Sequence, residues 1–296
     1  MKQEWTTRDE RSNIPTIRFI VWVALTFGRR FARSLLYPIC LYFVIFSGES
    51  RIASRQYLDL IFARKTGMRE TFHHYFAFAS TILDRVFLLN NRSSEFDISV
   101  HGLDIVEKNT AQGRGCFFVG AHMGSFEVLH ALSRKHNALY THMMMYEENA
   151  RKLNGVLKQI NPELNPPVIA LGRVDSMLKL EQALQRGESV GLLVDRTISG
   201  EKTFACDFFG KPMHFPLGPF RLAAIIDRPI ILMFGLYMGG NRYVVHFEEL
   251  GVKQTELKSR RHAAVEESIK QYAARLEHYC RIAPYNWYNF YDVWKK

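Results

Sequence analysis

The feature that most constrains the fold is a short apolar strand followed directly by a glycine-containing turn and a helical pattern. Residues 116–119, Cys-Phe-Phe-Val, form a compact apolar run of the kind found in buried strands. Apolar residues then recur at helical spacing between Phe126 and Leu132. His122 is therefore predicted to lie at the C-terminal end of a strand, which is where ligands bind in open α/β sheets.

The turn after this strand carries a histidine and a glutamate five residues apart. Ser125 is a candidate N-cap, and Glu127 falls in the first helical turn, where the positive end of the helix dipole favours a carboxylate. A carboxylate near an imidazole fixes its tautomer and stabilises the cation formed on proton uptake. The pattern alone leaves two interpretations open, a catalytic pair or a structural histidine near a strand end.

A metal site is not predicted around this turn. Zinc motifs of the His-Glu-x-x-His type need a second histidine one helical turn away. The next histidine, His130, is eight residues after His122, which places it about 80 degrees further round a continuous helix. The four cysteines have no paired spacing and are typical of small buried residues in a reducing compartment.

Strand-like and helix-like segments alternate after residue 95, which is the signature of an α/β sheet. The predicted strands are residues 96–101, 116–119, 139–145, 168–171, 190–194, 230–238 and 243–248. Predicted helices are residues 150–160, 174–185 and 260–280, a helix that begins at the Gly218-Pro219 pair, and mixed helical segments within residues 50–89.

The chain is strongly basic, with a formal net charge of +10. This charge favours anionic partners such as nucleic acid, acidic phospholipid headgroups, phosphorylated substrates or an acidic carrier protein. Nucleic acid is the least favoured of these, because the charges are dispersed and no recognition motif or compact basic stripe with stacking aromatic residues occurs.

Two apolar runs near the N-terminus, residues 17–27 and 35–46, flank an arginine-rich segment. Each is shorter than the roughly 20 residues needed to span hydrocarbon, and no signal-peptide cleavage site is evident. Two arrangements stay open: a helical hairpin partly sunk in one leaflet, which we favour, or a buried helix pair. The hairpin would place three arginines at anionic headgroups and three aromatic residues at the interface. These residues are Arg29, Arg30, Arg33, Trp22, Tyr37 and Tyr42.

Three sequence blocks together resemble the lysophospholipid acyltransferase superfamily, and most closely its lipid A late-acyltransferase branch. The blocks are His122-x4-Glu127 after a buried strand, residues 190–196 (Val-Gly-Leu-Leu-Val-Asp-Arg), and residues 208–223 with Phe-Phe-Gly-Lys-Pro and Phe-Pro-Leu-Gly-Pro-Phe-Arg-Leu-Ala. Residues 82–89 and the aromatic C-terminal tail also look similar to a sub-branch that accompanies bacterial aryl-polyene pathways. The resemblance implies a mixed, mostly parallel central sheet flanked by helices, with hydrophobic membrane-attachment helices at the N-terminus.

The resemblance further implies an O-acyltransferase on the cytoplasmic face of a bacterial inner membrane. Such an enzyme passes a fatty acyl chain from acyl carrier protein or coenzyme A to a lipid hydroxyl, with no cofactor beyond that co-substrate. His122 would be the general base and Glu127 the acid that orients it. Since a thioester is already activated, no covalent enzyme intermediate is required. A catalytically inactive lipid-binding or scaffold member of the same fold is the alternative.

Further residues are carried over from the resemblance as substrate-binding. Arg173 is a candidate clamp for an acceptor phosphate, or a solvated arginine at a helix start. Asp195 and Arg196 follow a strand at the same sheet edge as His122, and they resemble the Asp-Gln pair of the branch rather than the Glu-Gly-Thr-Arg signature of glycerolipid enzymes. A glycerol-phosphate acceptor is therefore not favoured. Arg196 could bind phosphate bidentately or pair with a carboxylate.

The remaining carried-over residues belong to turns. Pro216 would shape the acyl pocket or simply make a turn, and Gly124 and Ser125 would line the substrate site next to the histidine.

The sequence divides into a membrane-associating helical segment, residues 1–49, and an acyltransferase domain, residues 50–296. Within the domain we expect a helical lead-in at 50–90, an α/β core at 95–284 and an aromatic tail at 285–296. The tail would form a lid over the acyl groove or an interface anchor.

Overall fold

A computed structural model describes residues 14–111, 113–134, 136–161, 167–173, 175–198, 200–251 and 258–295. The helices are α1 (Ile14–Phe46), α2 (Gly48–Phe62), α3 (Met68–Leu89), α4 (Leu103–Ala111), α5 (Glu127–Ser133), α6 (Glu147–Ile160), α7 (Ser176–Gln185), α8 (Gly218–Ile226) and α9 (Lys258–Ile282). The strands are β1 (Asp97–His101), β2 (Phe117–Gly120), β3 (Thr141–Tyr146), β4 (Val168–Leu171), β5 (Ser189–Leu193), β6 (Thr203–Phe208), β7 (Lys211–Pro216), β8 (Ile230–Tyr237) and β9 (Arg242–Leu250).

The centre of the fold is a seven-stranded sheet with strand order β1-β9-β8-β2-β5-β3-β4. All neighbours are parallel except β8 and β9, which pair antiparallel. Every residue of β2 and of β8 is buried, as expected for central strands covered on both faces. The predicted α/β class with a mixed, mostly parallel sheet is confirmed, and each of the seven predicted strands overlaps a strand of this sheet.

A second, two-stranded sheet of β6 and β7 was not predicted. Phe208 pairs with Lys211, so the connecting loop has two residues, Phe209 and Gly210, with φ of 56° and 74°. Positive φ at both positions is typical of the tight hairpin turns that match strand twist. Helix α4 was also missed, since it is short and only Val106 is buried on it.

Helix α1 contains a sharp break at Gly28, whose φ of 81° and ψ of 168° are not helical. Helical structure resumes at Arg29, so residues 29–33 begin the second of two helices that meet at this break and do not form a loop. A residue with φ near 80° is tolerated here because glycine has no Cβ. No single helix among the described residues is long and apolar enough to cross a membrane. Within the part of the chain that the structure describes, α1 and α2 taken together, which meet at an angle of 96°, pass that test by length and composition.

One face of α1 packs against α3 and α6, which buries seven small or apolar side chains. They are Val21, Val23, Ala24, Ala32, Leu36, Cys40 and Val44. The opposite face leaves many large apolar side chains exposed. α1 is therefore not a fully buried helix pair.

A buried carboxylate fastens the break of α1 to the rest of the fold. Asp84 on α3 accepts two hydrogen bonds from Arg29, at 2.7 and 2.8 Å, and one from the Tyr243 hydroxyl of β9 at 2.8 Å. Arg29 and Arg33 also donate to the backbone oxygen of Gly240. Two of the three arginines expected at lipid headgroups are therefore used inside the fold, while Arg30 stays exposed.

Replacing Asp84 with Asn tests this fastening. The change leaves the Arg29 guanidinium buried without a counter-charge, and we expect a loss of about 3–5 kcal/mol in the free energy of unfolding. Tyr243→Phe removes a single hydrogen bond and should cost about 1 kcal/mol. Urea unfolding monitored by circular dichroism provides the measurement. If Asp84→Asn lowers the free energy of unfolding by less than Tyr243→Phe does, the charge of Asp84 does not anchor the break of α1.

Candidate active site

The register between β2 and β5 brings two predicted site residues together. Gly120 of β2 pairs with Leu193 of β5, and both strands run in the same direction. His122 and Asp195 each follow two residues beyond that pair, so they leave the sheet side by side. Nδ1 of His122 lies 2.7 Å from Oδ1 of Asp195, and the backbone N–H of His122 donates to the same oxygen at 3.0 Å.

Glu127, which the sequence pattern predicts as the partner of His122, is placed elsewhere. Its carboxylate forms an ion pair with Arg85 of α3 at 2.7 Å, and it accepts a hydrogen bond from the Ser125 hydroxyl at 3.0 Å. The chain turns between His122 and the start of α5 at Glu127, which directs this side chain toward α3. The residue that hydrogen-bonds the imidazole is Asp195, from the neighbouring strand.

The turn itself depends on close contact with β8. Gly124 has a φ of +59°, and a Cβ on it would lie 1.9 Å from the backbone oxygen of Gly235. The backbone N–H of Ser125 donates to that same oxygen at 2.8 Å. Ser125 was predicted to be the N-cap of α5, which is wrong, because Phe126 occupies that position and the Ser125 hydroxyl is engaged by Glu127.

Asp195 is fully buried and is surrounded by hydrogen-bond donors. Its second oxygen, Oδ2, accepts from the indole N–H of Trp287 and from the side-chain amide of Asn289, both at 2.9 Å. Burial by itself raises the pKa of this carboxyl, but the charge and hydrogen bond of His122, the charge of Arg196 and the hydrogen bond of Asn289 outweigh it and hold the pKa well below its usual range. Asp195 is therefore an anion that only accepts hydrogen bonds.

This environment determines the protonation of His122. Because Asp195 can only accept, Nδ1 of the ring must be the donor. Burial and the nearby Arg196 charge lower the pKa of His122 from its ordinary 6.5, more than Asp195 raises it. At neutral pH the ring is therefore uncharged, with its remaining lone pair on Nε2. About 31 % of the His122 side chain is exposed, so the ring that carries Nε2 is partly accessible from outside the protein.

Residues 286–289 of the aromatic tail pack against the turn that carries His122. The backbone N–H of Tyr288 donates to the His122 carbonyl at 2.8 Å, and the N–H of Gly124 donates to the Asn286 carbonyl at 2.9 Å. Trp287, Tyr288 and their asparagine neighbours are buried. The tail takes this position because its polar groups satisfy those of the turn and of Asp195.

Arg196 uses much of its hydrogen-bonding capacity on the same tail. Its Nε donates to Asn289 Oδ1 at 2.7 Å, and one terminal nitrogen donates to the Tyr288 carbonyl at 3.0 Å. The guanidinium also lies over the ring of Tyr291, 5.8 Å from its centroid.

The two other carried-over residues lie on other elements of the fold. Arg173 follows β4, three strands away from β2, which corresponds to roughly 14 Å across the sheet. Its side chain is 54 % exposed and lies near the carboxylates of Asp175 and Glu147. Pro216 is buried at the end of β7, immediately before α8.

Three residues that contact the predicted site were not predicted from the sequence, namely Trp287, Asn289 and Arg85. A usable signal was present for Asn289, because its spacing with Asn286 in an aromatic tail indicates amides that need buried partners. Within the described residues, no group of three or more His, Cys, Asp or Glu side chains is arranged to hold a metal ion.

The charge of Arg196 provides a test of the electrostatics. Replacing it with Gln removes a cation near the imidazole, so the pKa of His122 should rise in the variant. Proton NMR titration of the ring, assigned by its absence in His122→Ala, measures the midpoint. Arg173→Gln, remote and exposed, serves as the matched control and should leave the midpoint unchanged. A lower midpoint in Arg196→Gln would contradict this account.

Comparison with known families supports the resemblance drawn from the three sequence blocks. Residues 5–296 match the family described as bacterial lipid A biosynthesis acyltransferase. No curated protein sequence matches the chain. The matched region contains both strand ends that carry His122 and Asp195, as well as the tail behind them. The chain therefore belongs to the bacterial lipid A biosynthesis acyltransferase family.

Proposed function

We propose that this acyltransferase moves a fatty acyl chain from a thioester donor, acyl carrier protein or coenzyme A, to a hydroxyl group of a membrane lipid. The observation that supports this most directly is the His122–Asp195 pair. The Nδ1–H of His122 donates a hydrogen bond to the ionised Asp195, which leaves Nε2 as a neutral proton acceptor on a partly exposed ring. The net charge of +10 suits both an acidic carrier protein and an anionic bilayer.

The proposed chemistry needs one positioned base. Nε2 of His122 removes the proton of the acceptor hydroxyl as its oxygen attacks the thioester carbonyl. The carbon–sulfur bond then breaks, and the proton passes from the imidazolium to the departing thiolate. A free thiol ionises near pH 8.5, roughly, so the sulfur leaves readily. Asp195 stabilises the imidazolium between the two proton transfers.

In this proposal Glu127 supports the site without touching the ring. Its ion pair with Arg85 and its contact with Ser125 tie the start of α5 to α3. The turn that carries His122 is thereby held at both ends, by the tail on one side and by α3 on the other.

Three substitutions test these roles. His122→Ala removes the base and should lower the acyl-transfer rate by about 10²–10⁴. Asp195→Asn should lower it by on the order of 10³–10⁴, because the ring can then adopt the wrong tautomer. Glu127→Gln should cost roughly tenfold or less, since it changes a supporting contact. Single-turnover transfer from a labelled acyl thioester provides the rates.

Circular dichroism and vesicle binding must be unchanged in all three variants for this comparison to hold. If Glu127→Gln is as damaging as Asp195→Asn, Glu127 acts directly on the imidazole during turnover. If the wild-type protein consumes no thioester with either donor yet binds lipid tightly, the inactive lipid-binding alternative is favoured. The acceptor can be sought by mass spectrometry of lipids from cells with and without the protein. A species shifted by one acyl group identifies both the acceptor and the chain length.

We also propose that α1 lies in the membrane interface. Its outward face exposes a continuous series of large apolar side chains, far more than the isolated exposed residues normal on soluble proteins. These residues are Phe19, Ile20, Trp22, Leu25, Phe27, Phe31, Leu35, Tyr37, Ile39, Leu41, Tyr42, Phe43, Ile45 and Phe46.

A double variant, Phe27→Ser with Phe31→Ser, tests this attachment. Both rings are about half exposed, at 55 % and 48 %, so their loss should weaken binding to bilayers with little effect on packing. Burial of a phenylalanine contributes about 1.5–3 kcal/mol, so partitioning should fall by about tenfold or more. Co-sedimentation with phosphatidylethanolamine–phosphatidylglycerol vesicles is the measurement. Ile225→Ser, an exposed apolar residue on α8, is the control, and equal binding by both variants would contradict the proposal.

A further inference from the structure

The C-terminal tail supplies half of the hydrogen bonds that hold the Asp195 carboxylate. We propose that Trp287 and Asn289 are positioning residues, which fix the tautomer of His122 by fixing the orientation of Asp195. The inference rests on the proposed function, in which His122 is the general base. We refer to residues 286–289 as the C-terminal clamp.

The hydrogen bonds of Asp195 divide evenly between its two oxygens. Oδ1 accepts both bonds from His122, and Oδ2 accepts the bonds from Trp287 and Asn289. An ionised carboxylate has about four acceptor positions, so its capacity is filled. Since Trp287 and Asn289 are only 1 % and 2 % exposed, bulk water does not compete for Oδ2. Rotation of the carboxylate would break bonds on both sides.

The direction of each hydrogen bond in the clamp is determined. The indole nitrogen of Trp287 can only donate. The amide of Asn289 is oriented by Arg196, whose Nε donates to Oδ1 of Asn289 at 2.7 Å. Because a guanidinium cannot accept, the amide nitrogen must face Asp195. Arg196 therefore donates to Asn289, Asn289 donates to Asp195, and Asp195 also accepts from Nδ1–H of His122.

The clamp is attached to the backbone around the site and not only to side chains. The side chain of Asn286 accepts from the N–H of Tyr237 at 2.6 Å and donates to its carbonyl at 3.0 Å. The N–H of Tyr288 donates to the carbonyl of His122 at 2.8 Å. The clamp is therefore hydrogen-bonded both to β8 and to the turn that carries His122.

Removing a donor from Oδ2 has a specific consequence. The carboxylate, buried with an unpaired oxygen, turns toward its remaining donors, and the bond to Nδ1 loses its alignment. The Nε2–H tautomer of His122 then becomes populated, and in that form Nε2 cannot take a proton from the acceptor. The rate constant kcat should fall while KM is retained, because neither residue faces the exposed side of the imidazole.

The experiment compares two tryptophans of the same tail. Trp287→Phe and Asn289→Leu should each lower kcat about 10–100-fold, with KM within about twofold of wild type. Trp294→Phe is the matched control. Its indole N–H is buried without a hydrogen-bond partner among the described residues, and its ring also packs against Phe208. Removal of that N–H should leave kcat and KM unchanged.

Nitrogen-15 NMR of His122 gives a readout that needs no substrate. The wild-type ring, above its pKa, should show the Nδ1–H tautomer, and the Trp287→Phe and Asn289→Leu variants should show a mixture. If wild type transfers no acyl group, the proposed function fails, while the tautomer measurement still decides the positioning role. Unchanged tautomer and kcat in both variants, or a raised KM at constant kcat, would overturn the inference. Should Trp287→Phe not fold, Asn289→Leu decides alone.

Discussion

One buried carboxylate, that of Asp195, organises the active-site region. Removing an ionised group from water costs several kcal/mol, and this cost is offset only when its oxygens are fully hydrogen-bonded. The donors come from the turn after β2 and from the C-terminal tail, and the carboxylate itself follows β5. Three distant parts of the chain must therefore be correctly placed at the same time. Asp195 thus couples the assembly of the sheet to the chemistry of His122.

The sheet was predictable because its strands are short apolar runs that end in polar or glycine-containing turns. The strand Val168–Leu171 was located to the residue, and the others within a few positions. Covered parallel strands give continuous apolar runs, so their signal is strong. The hairpin of β6 and β7 is only partly buried, and its clearest signal is the two-residue turn at Phe209 and Gly210. Such a signal is weak in the sequence, because phenylalanine rarely adopts positive φ.

The pairing within the site could be predicted only in part. His122 and Asp195 were both expected at the same sheet edge, from their positions after apolar strands. Selecting Asp195 over Glu127 requires the knowledge that β2 and β5 are neighbours, although β3 and β4 lie between them in sequence. Spacing along the chain favours Glu127 as the partner of His122, whereas the register between β2 and β5 favours Asp195. The tail has neither helical nor strand periodicity, so its partners follow only from the three-dimensional structure.

Helix α3 connects the apolar α1 with the site through three side chains. Asp84 holds Arg29 at the break of α1, and the adjacent Arg85 pairs with Glu127 at the start of α5. Further along, His74 hydrogen-bonds the carbonyl of Trp287 in the C-terminal clamp at 2.8 Å. Ion pairs and hydrogen bonds on one rigid helix keep these distances constant. Under the proposed function, with α1 in the bilayer interface, these contacts would fix the height of His122 above the lipid, and only hydroxyl groups presented at that height would meet the base.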